Sequence, residues 1–164
     1  MPMTAKGKEK AMLEFRSMED ILNFAIKKEE ASCIFYADMA ARVADPLAGG
    51  LFQDIAQEEA THRQQLQLEI MKLGKVVDGS DDWAENAVIA DIVGEGELPG
   101  DFDTADALRL AISKEQAAYR LYIDLIRLMQ DQAAIDTFVA LAEEEVRHKL
   151  KFESAYDSYM RQQP

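Results

Sequence analysis

Two Glu-x-x-His pairs, Glu59 with His62 and Glu145 with His148, stand in matching surroundings. FQDIAQEEATH from Phe52 and FVALAEEEVRH from Phe138 share Phe, Ala, two Glu and His at an offset of 86 residues. The same offset sets AIKKEEASCIFY, Ala25 to Tyr36, over AISKEQAAYRLY, Ala111 to Tyr122, and so sets Glu29 over Glu115. The repeated unit is a Glu, a span of 30 positions, and then Glu-x-x-His. A Glu and a His three apart leave a helix from nearly the same face, so each pair can grip one ion or two adjacent ions.

These groups interrupt apolar stripes. Phe52, Ile55, Leu66, Ile70 and Leu73 lie near the direction of Glu59, and Phe138, Leu141, Phe152, Tyr156 and Tyr159 near that of Glu145. Leu22, Ile26, Cys33, Tyr36, Ala40 and Val43 accompany Glu29; Leu108, Ile112, Tyr119, Tyr122, Ile126 and Met129 accompany Glu115. Four carboxylates therefore point at one core, where they must be protonated, paired with cations or bound to metal. No Lys or Arg occupies those stripes at the same level. Four carboxylates and two neutral imidazoles carry four negative charges, which two divalent ions neutralise.

Glu29, Glu59/His62, Glu115 and Glu145/His148, with their AIxxE and FxxxAxEExxH surroundings, resemble the ferritin-like diiron carboxylate proteins, and most of all their rubrerythrin branch. The resemblance runs from about Ile21 to Tyr159, and a doubled Glu-x-x-His at matched spacing is a specific signal. It implies a ligand set of Glu29, Glu59, His62, Glu115, Glu145 and His148 around two iron ions, with manganese or zinc as substitutes. Glu59 and Glu145 are expected to bridge, and Glu29 and Glu115 to be terminal. The implied activity is reduction of hydrogen peroxide, or reaction with dioxygen. Ferroxidase or iron-handling work is the alternative, and a non-catalytic, metal-stabilised bundle the third reading. Rubrerythrins proper carry a rubredoxin module with two Cys-x-x-Cys pairs, whereas Cys33 is the only cysteine here. Electrons are therefore expected from an external rubredoxin-like or flavoprotein donor. Ala118 stands where rubrerythrins usually have a further Glu, which points to a symmetric six-ligand site.

The neighbours of the expected ligands have plainer readings. Glu58 and Glu144 read as boundary residues. Tyr36 and Tyr122, two turns after Glu29 and Glu115, read as core aromatics, with a hydrogen bond to a ligating carboxylate as the alternative. Cys33 and Tyr119 read as packing, although a cysteine so near the site is a candidate for oxidation by peroxide.

Elements must hold these residues at one level. Abundant Ala, Leu, Glu and Gln, with few Gly and Pro, predict an all-α chain. Ser17 with Asp20, Asp45 followed by Pro46, and Asp131 are start signals. The expected helices cover about 17–43, 46–73, 104–129 and 132–160: a ferritin-like four-helix bundle of two hairpins joined by a long crossover, about 74–103. Such a crossover makes the second and third helices parallel. A short helix from Trp83 to Val93 is expected within it. Residues 1–16 read as a loose N-terminal tail, 17–160 as the domain and 161–164 as a C-terminal tail.

The net charge is −13, and ten acidic residues with no basic one lie between Val76 and Leu108. Nucleic acid is thus an unfavourable partner. The acidic run reads as a solvated crossover, with a cation-gathering funnel as the sharper option. No apolar run has the length of a membrane span or the form of a signal peptide, so the expectation is a cytoplasmic protein, and a homodimer by family habit.

Overall fold

The computed structural model describes residues 3–5, 13–75 and 98–164. Four long helices carry the fold: α1 (Met18–Arg42), α2 (Pro46–Lys72), α3 (Thr104–Ile126) and α4 (Gln132–Arg161). The start signals act as expected. The Ser17 side chain accepts from Asp20 N–H at 3.2 Å, Asp45 from Ala48 N–H at 2.9 Å and Asp131 from Ala134 N–H at 3.0 Å. Asp103 adds a capping box with Asp106. Helix α3 stops at Ile126, short of the expected 129, because Leu128 and Met129 N–H bond three residues back and tighten the turn into the Asp131 cap.

Helix α2 ends in a Schellman turn. Gly74 adopts φ +71°, its N–H reaches Met71 C=O at 2.9 Å, and Lys75 N–H reaches Ile70 C=O at 3.3 Å. A residue with a Cβ is strained at that φ. The chain thereby leaves the hairpin toward the crossover. Positions 76–97, with the expected Trp83–Val93 helix and most of the acidic run, lie outside the described residues.

Short turns make α1 antiparallel to α2 and α3 antiparallel to α4. Contacts across the hairpins then fix their arrangement. Tyr36 meets Glu115 while Glu29 meets Tyr122, so α1 runs antiparallel to α3. Phe52 meets Phe152 while Glu58 meets His148, so α2 runs antiparallel to α4. It follows that α2 and α3 are parallel, as a lengthwise crossover requires.

The apolar core falls into two clusters. One gathers Leu22, Ile26, Leu66, Ile70, Tyr122, Leu125, Phe138 and Leu141; the other gathers Tyr36, Met39, Phe52, Ile55, Leu108 and Phe152. Complete burial of one such Leu, Ile or Phe side chain contributes about 1.5–3 kcal/mol. Between the clusters, at mid-bundle, lie the polar residues.

The tail expected over residues 1–16 is not wholly irregular. A two-stranded antiparallel ribbon pairs β1 (Met3–Ala5) with β2 (Leu13–Phe15), and Phe15 is buried edge-on against Phe24, their rings 5.5 Å apart. An aromatic at the ribbon's end has apolar surface on α1 to cover, which the lysine-rich composition of the segment concealed. No helix among the described residues is long and apolar enough to cross a membrane.

Candidate metal centre

Helix α1 brings Glu29, α2 Glu59 and His62, α3 Glu115, and α4 Glu145 and His148 to one level, and all six are buried. They form two overlapping donor sets: Glu29, Glu59, His62 and Glu145, and Glu59, Glu115, Glu145 and His148. Within each set one atom from every residue lies within 4.8 Å of the others. Glu59 and Glu145 belong to both sets. The His62 Nδ1 atom stands 3.5 Å from Glu145, 3.7 Å from Glu29 and 3.9 Å from Glu59. The His148 Nδ1 atom stands 3.0 Å from Glu59, 3.6 Å from Glu115 and 4.0 Å from Glu145. The imidazole rings lie nearly parallel, 5.6 Å between centroids.

The donors fit metal ions. Buried polar side-chain atoms without a hydrogen bond, among the described residues, are Glu29 Oε2, both Glu59 oxygens, Glu115 Oε2, Glu145 Oε1 and both Nδ1 atoms, with Arg63 Nε as the one outside the site. Orphaned buried groups are costly, and seven of them converging on one space call for a cation. Carboxylate oxygens with imidazole nitrogens suit iron, manganese or zinc.

The tyrosines cross the bundle to opposite carboxylates. Tyr36 Oη donates to Glu115 at 2.6 Å, and Tyr122 Oη donates to Glu29. Both also pack as core aromatics, Tyr36 on Phe52 and Phe152, Tyr122 on Phe138. The packing and hydrogen-bond readings therefore hold together. Cys33 is half-buried.

Glu58 is more than a boundary residue. Its carboxylate lies 2.6 Å from His148 Nε2. A carboxylate only accepts, so Nε2 carries the proton and Nδ1 turns its lone pair to the site. On the other side Glu144 lies within reach of both imidazoles. The signal was the Glu-Glu doublet, written in both halves.

One expectation is overturned: a lysine does occupy the level of the carboxylates. Lys28 is buried, with Nζ 3.2 Å from Glu145, 3.5 Å from Glu29 and 4.0 Å from Glu59. It sits one position off the stripe of Glu29, about 100° around the helix, but its long stem carries the ammonium inward. The repeat mate Lys114 is also buried, with its ammonium over the Phe35 ring at 4.2 Å. The Lys-Glu doublet in both halves was the available signal.

Protein groups alone balance their charges unevenly. Burial opposes the Lys28 charge, but Glu145, Glu29 and Glu59 outweigh it and hold its pKa above the ordinary value. Burial likewise opposes charge on His62, yet the nearby carboxylates of Glu145 and Glu29 push its pKa up to about 10. Glu29 and Glu145 are lowered: burial would raise them, and Lys28 with His62 prevails. Burial, then repulsion from Glu145, raises Glu59 and Glu115 well above the carboxylate range. Burial lowers His148. Lys28 and His62 thus offset part of the carboxylate charge, and the unpartnered donor atoms remain for a metal ion.

A rubrerythrin family model matches residues 20–156. Among solved structures, the fold is similar to a hypothetical protein from Pyrococcus furiosus, with TM-score 0.70 and 20% identity over 91% of this chain and 94% of that one. It is also similar to the dodecameric thioferritin, a bacterioferritin-related protein, from Bacteroides fragilis, with TM-score 0.73 and 23% identity over 87% and 86%. KatB, a manganese catalase from Anabaena PCC7120, gives TM-score 0.63 and 24% identity over 96% of this chain and 81% of that one. None of the curated proteins matches this sequence significantly. At these identities the structural likeness establishes the ferritin-like fold.

Proposed function

We propose, from the premise that this chain belongs to the rubrerythrin family, that it is an oxidoreductase reducing hydrogen peroxide, or reacting with dioxygen, at a dinuclear iron site, with electrons from an external donor. The observation that carries this reading is the pair of donor sets sharing Glu59 and Glu145, lined by orphaned atoms. Two bound ferrous ions would supply the two electrons that reductive cleavage of a peroxide O–O bond needs.

In this reading Glu59 and Glu145, common to both sets, would be shared by the two ions, and Glu29 and Glu115 would each serve one. His62 and His148 would each hold one ion, their unpartnered Nδ1 atoms facing the site. Tyr122 and Tyr36 fix the terminal carboxylates by donating to them, and Glu58 fixes the His148 ring and tautomer. The apolar clusters on either side limit water at the reacting atoms. Manganese also suits these donors by their chemistry, and the Anabaena neighbour is a manganese catalase. We also take the chain to self-associate, as the dodecameric Bacteroides neighbour does.

Iron handling is the second reading, favoured by the acidic run between Val76 and Leu108 and by the thioferritin neighbour. Stopped-flow oxidation of anaerobically iron(II)-loaded protein separates the two. The peroxidase reading expects stoichiometric peroxide to oxidise the protein much faster than air does, followed by a stall until a rubredoxin-like or flavoprotein donor is added. Sustained turnover of added ferrous iron without a donor, faster with dioxygen than with peroxide, would replace it with iron handling.

A further inference from the structure

The two donor sets are related by the sequence repeat, yet a single ammonium contacts every carboxylate of one of them. Lys28 Nζ lies 3.2–4.0 Å from Glu145, Glu29 and Glu59, the three carboxylates that stand with His62. Its closest oxygen on Glu59 is Oε2, the one nearest His62, while His148 faces Oε1. The equivalent ammonium, that of Lys114, lies over the Phe35 ring. Lys28 is seated there by burial on all sides, with the Tyr122 ring centroid 5.0 Å from Nζ.

We propose that Lys28 is a built-in cation that fills the His62 half of the site and makes the two halves unequal. The first ion then enters the His148 half, among Glu59, Glu115, Glu145 and His148. The second enters the His62 half only as the Lys28 ammonium swings away from its three carboxylates. The inference rests on the dinuclear-site reading and adds an order of loading to it. A monovalent ammonium within about 4 Å of an incoming divalent ion repels it strongly in so buried a setting, whereas the same ammonium, once moved, frees three carboxylates at a time.

The test is an anaerobic manganese(II) titration of the whole protein, with bound metal measured by equilibrium dialysis and its environment by electron paramagnetic resonance. The wild type is expected to bind a first ion with the six-line spectrum of an isolated manganese. A second ion, bound about tenfold or more weakly, replaces that spectrum with a spin-coupled one. Lys28→Met is expected to narrow the gap between the steps by about tenfold or more. His62→Ala is expected to retain the first ion, and His148→Ala to weaken it. Two ions bound by the wild type with equal affinity, or a gap unchanged in Lys28→Met, would overturn the inference and leave the dinuclear site standing. First-ion binding weakened by His62→Ala and untouched by His148→Ala would also overturn it, and the two histidine variants decide the matter if Lys28→Met does not fold. A wild type that takes up no ion would remove the dinuclear reading as well.

Discussion

Each acidic residue of the centre has a distinct place, and substitutions should separate them. Glu59 and Glu145 stand in both donor sets, so Glu59→Ala or Glu145→Ala is expected to abolish binding of both ions. Elemental analysis after dialysis against metal is the check, and loss of one ion alone would reject a bridging role. Glu58 is half-exposed and touches His148 only at Nε2, so Glu58→Ala should leave the fold intact. It should lower metal affinity by about tenfold, the usual scale for losing a carboxylate behind a ligating imidazole. Competition with a chromophoric chelator measures this, and an affinity within twofold of wild type would return Glu58 to the boundary. Both residues of the Glu-Glu doublet were visible in the sequence; which one faces inward follows from the helical face, and what the other touches does not.

At the scale of elements, the helices begin at side chains that the sequence displays and end where backbone geometry decides. Asp131 accepts from Ala134 N–H, and Asp131→Ala is expected to lower stability by about 1 kcal/mol. Gly74 ends α2 at positive φ with nothing within 4 Å of an added Cβ. Gly74→Ala should therefore lower stability by about 1 kcal/mol through backbone strain alone. Urea unfolding measures both, and a neutral Gly74→Ala would mean that the Schellman turn does not set the helix end. Neither change touches the carboxylate cluster, so metal stoichiometry should survive both. The ribbon of β1 and β2 was illegible in the sequence because three-residue strands carry too little alternation to be read.

For the whole molecule, the charge arrangement sets how stability follows pH. Without metal, His62 has its pKa raised from 6.5 to about 10, and Glu59 and Glu115 are raised above 4.5. A group raised on folding gives stability that is complete below its unfolded pKa and lost as pH rises through the folded one. Glu29 and Glu145 are lowered, so their contribution holds above about 4.5 and is lost in acid. His148, also lowered, acts in the same sense, its contribution lost as pH falls. The melting temperature of the metal-free protein is therefore expected to be highest in mildly acidic solution and to fall from pH 6.5 toward pH 10. Saturating manganese or zinc should raise it and remove that alkaline fall, since bound metal displaces the protons. Calorimetric melts across this range decide the point. Equal midpoints with and without metal would mean that the carboxylates and imidazoles do not act together as a metal site.

The repeat of Glu and Glu-x-x-His, the apolar stripes around it and the capping aspartates lie along the chain, and each follows from neighbours within a turn or two. They sufficed for four helices, their approximate limits and the convergence of six side chains, because helical periodicity converts spacing directly into a face. Lys28 among the carboxylates, Glu58 on His148 and the crossed tyrosine hydroxyls pair residues from 79 to 117 positions apart. Such pairings depend on where a flexible side chain bends and which helix stands opposite. Tertiary packing alone decides that, and with it which of two sequence-equivalent halves receives the ammonium.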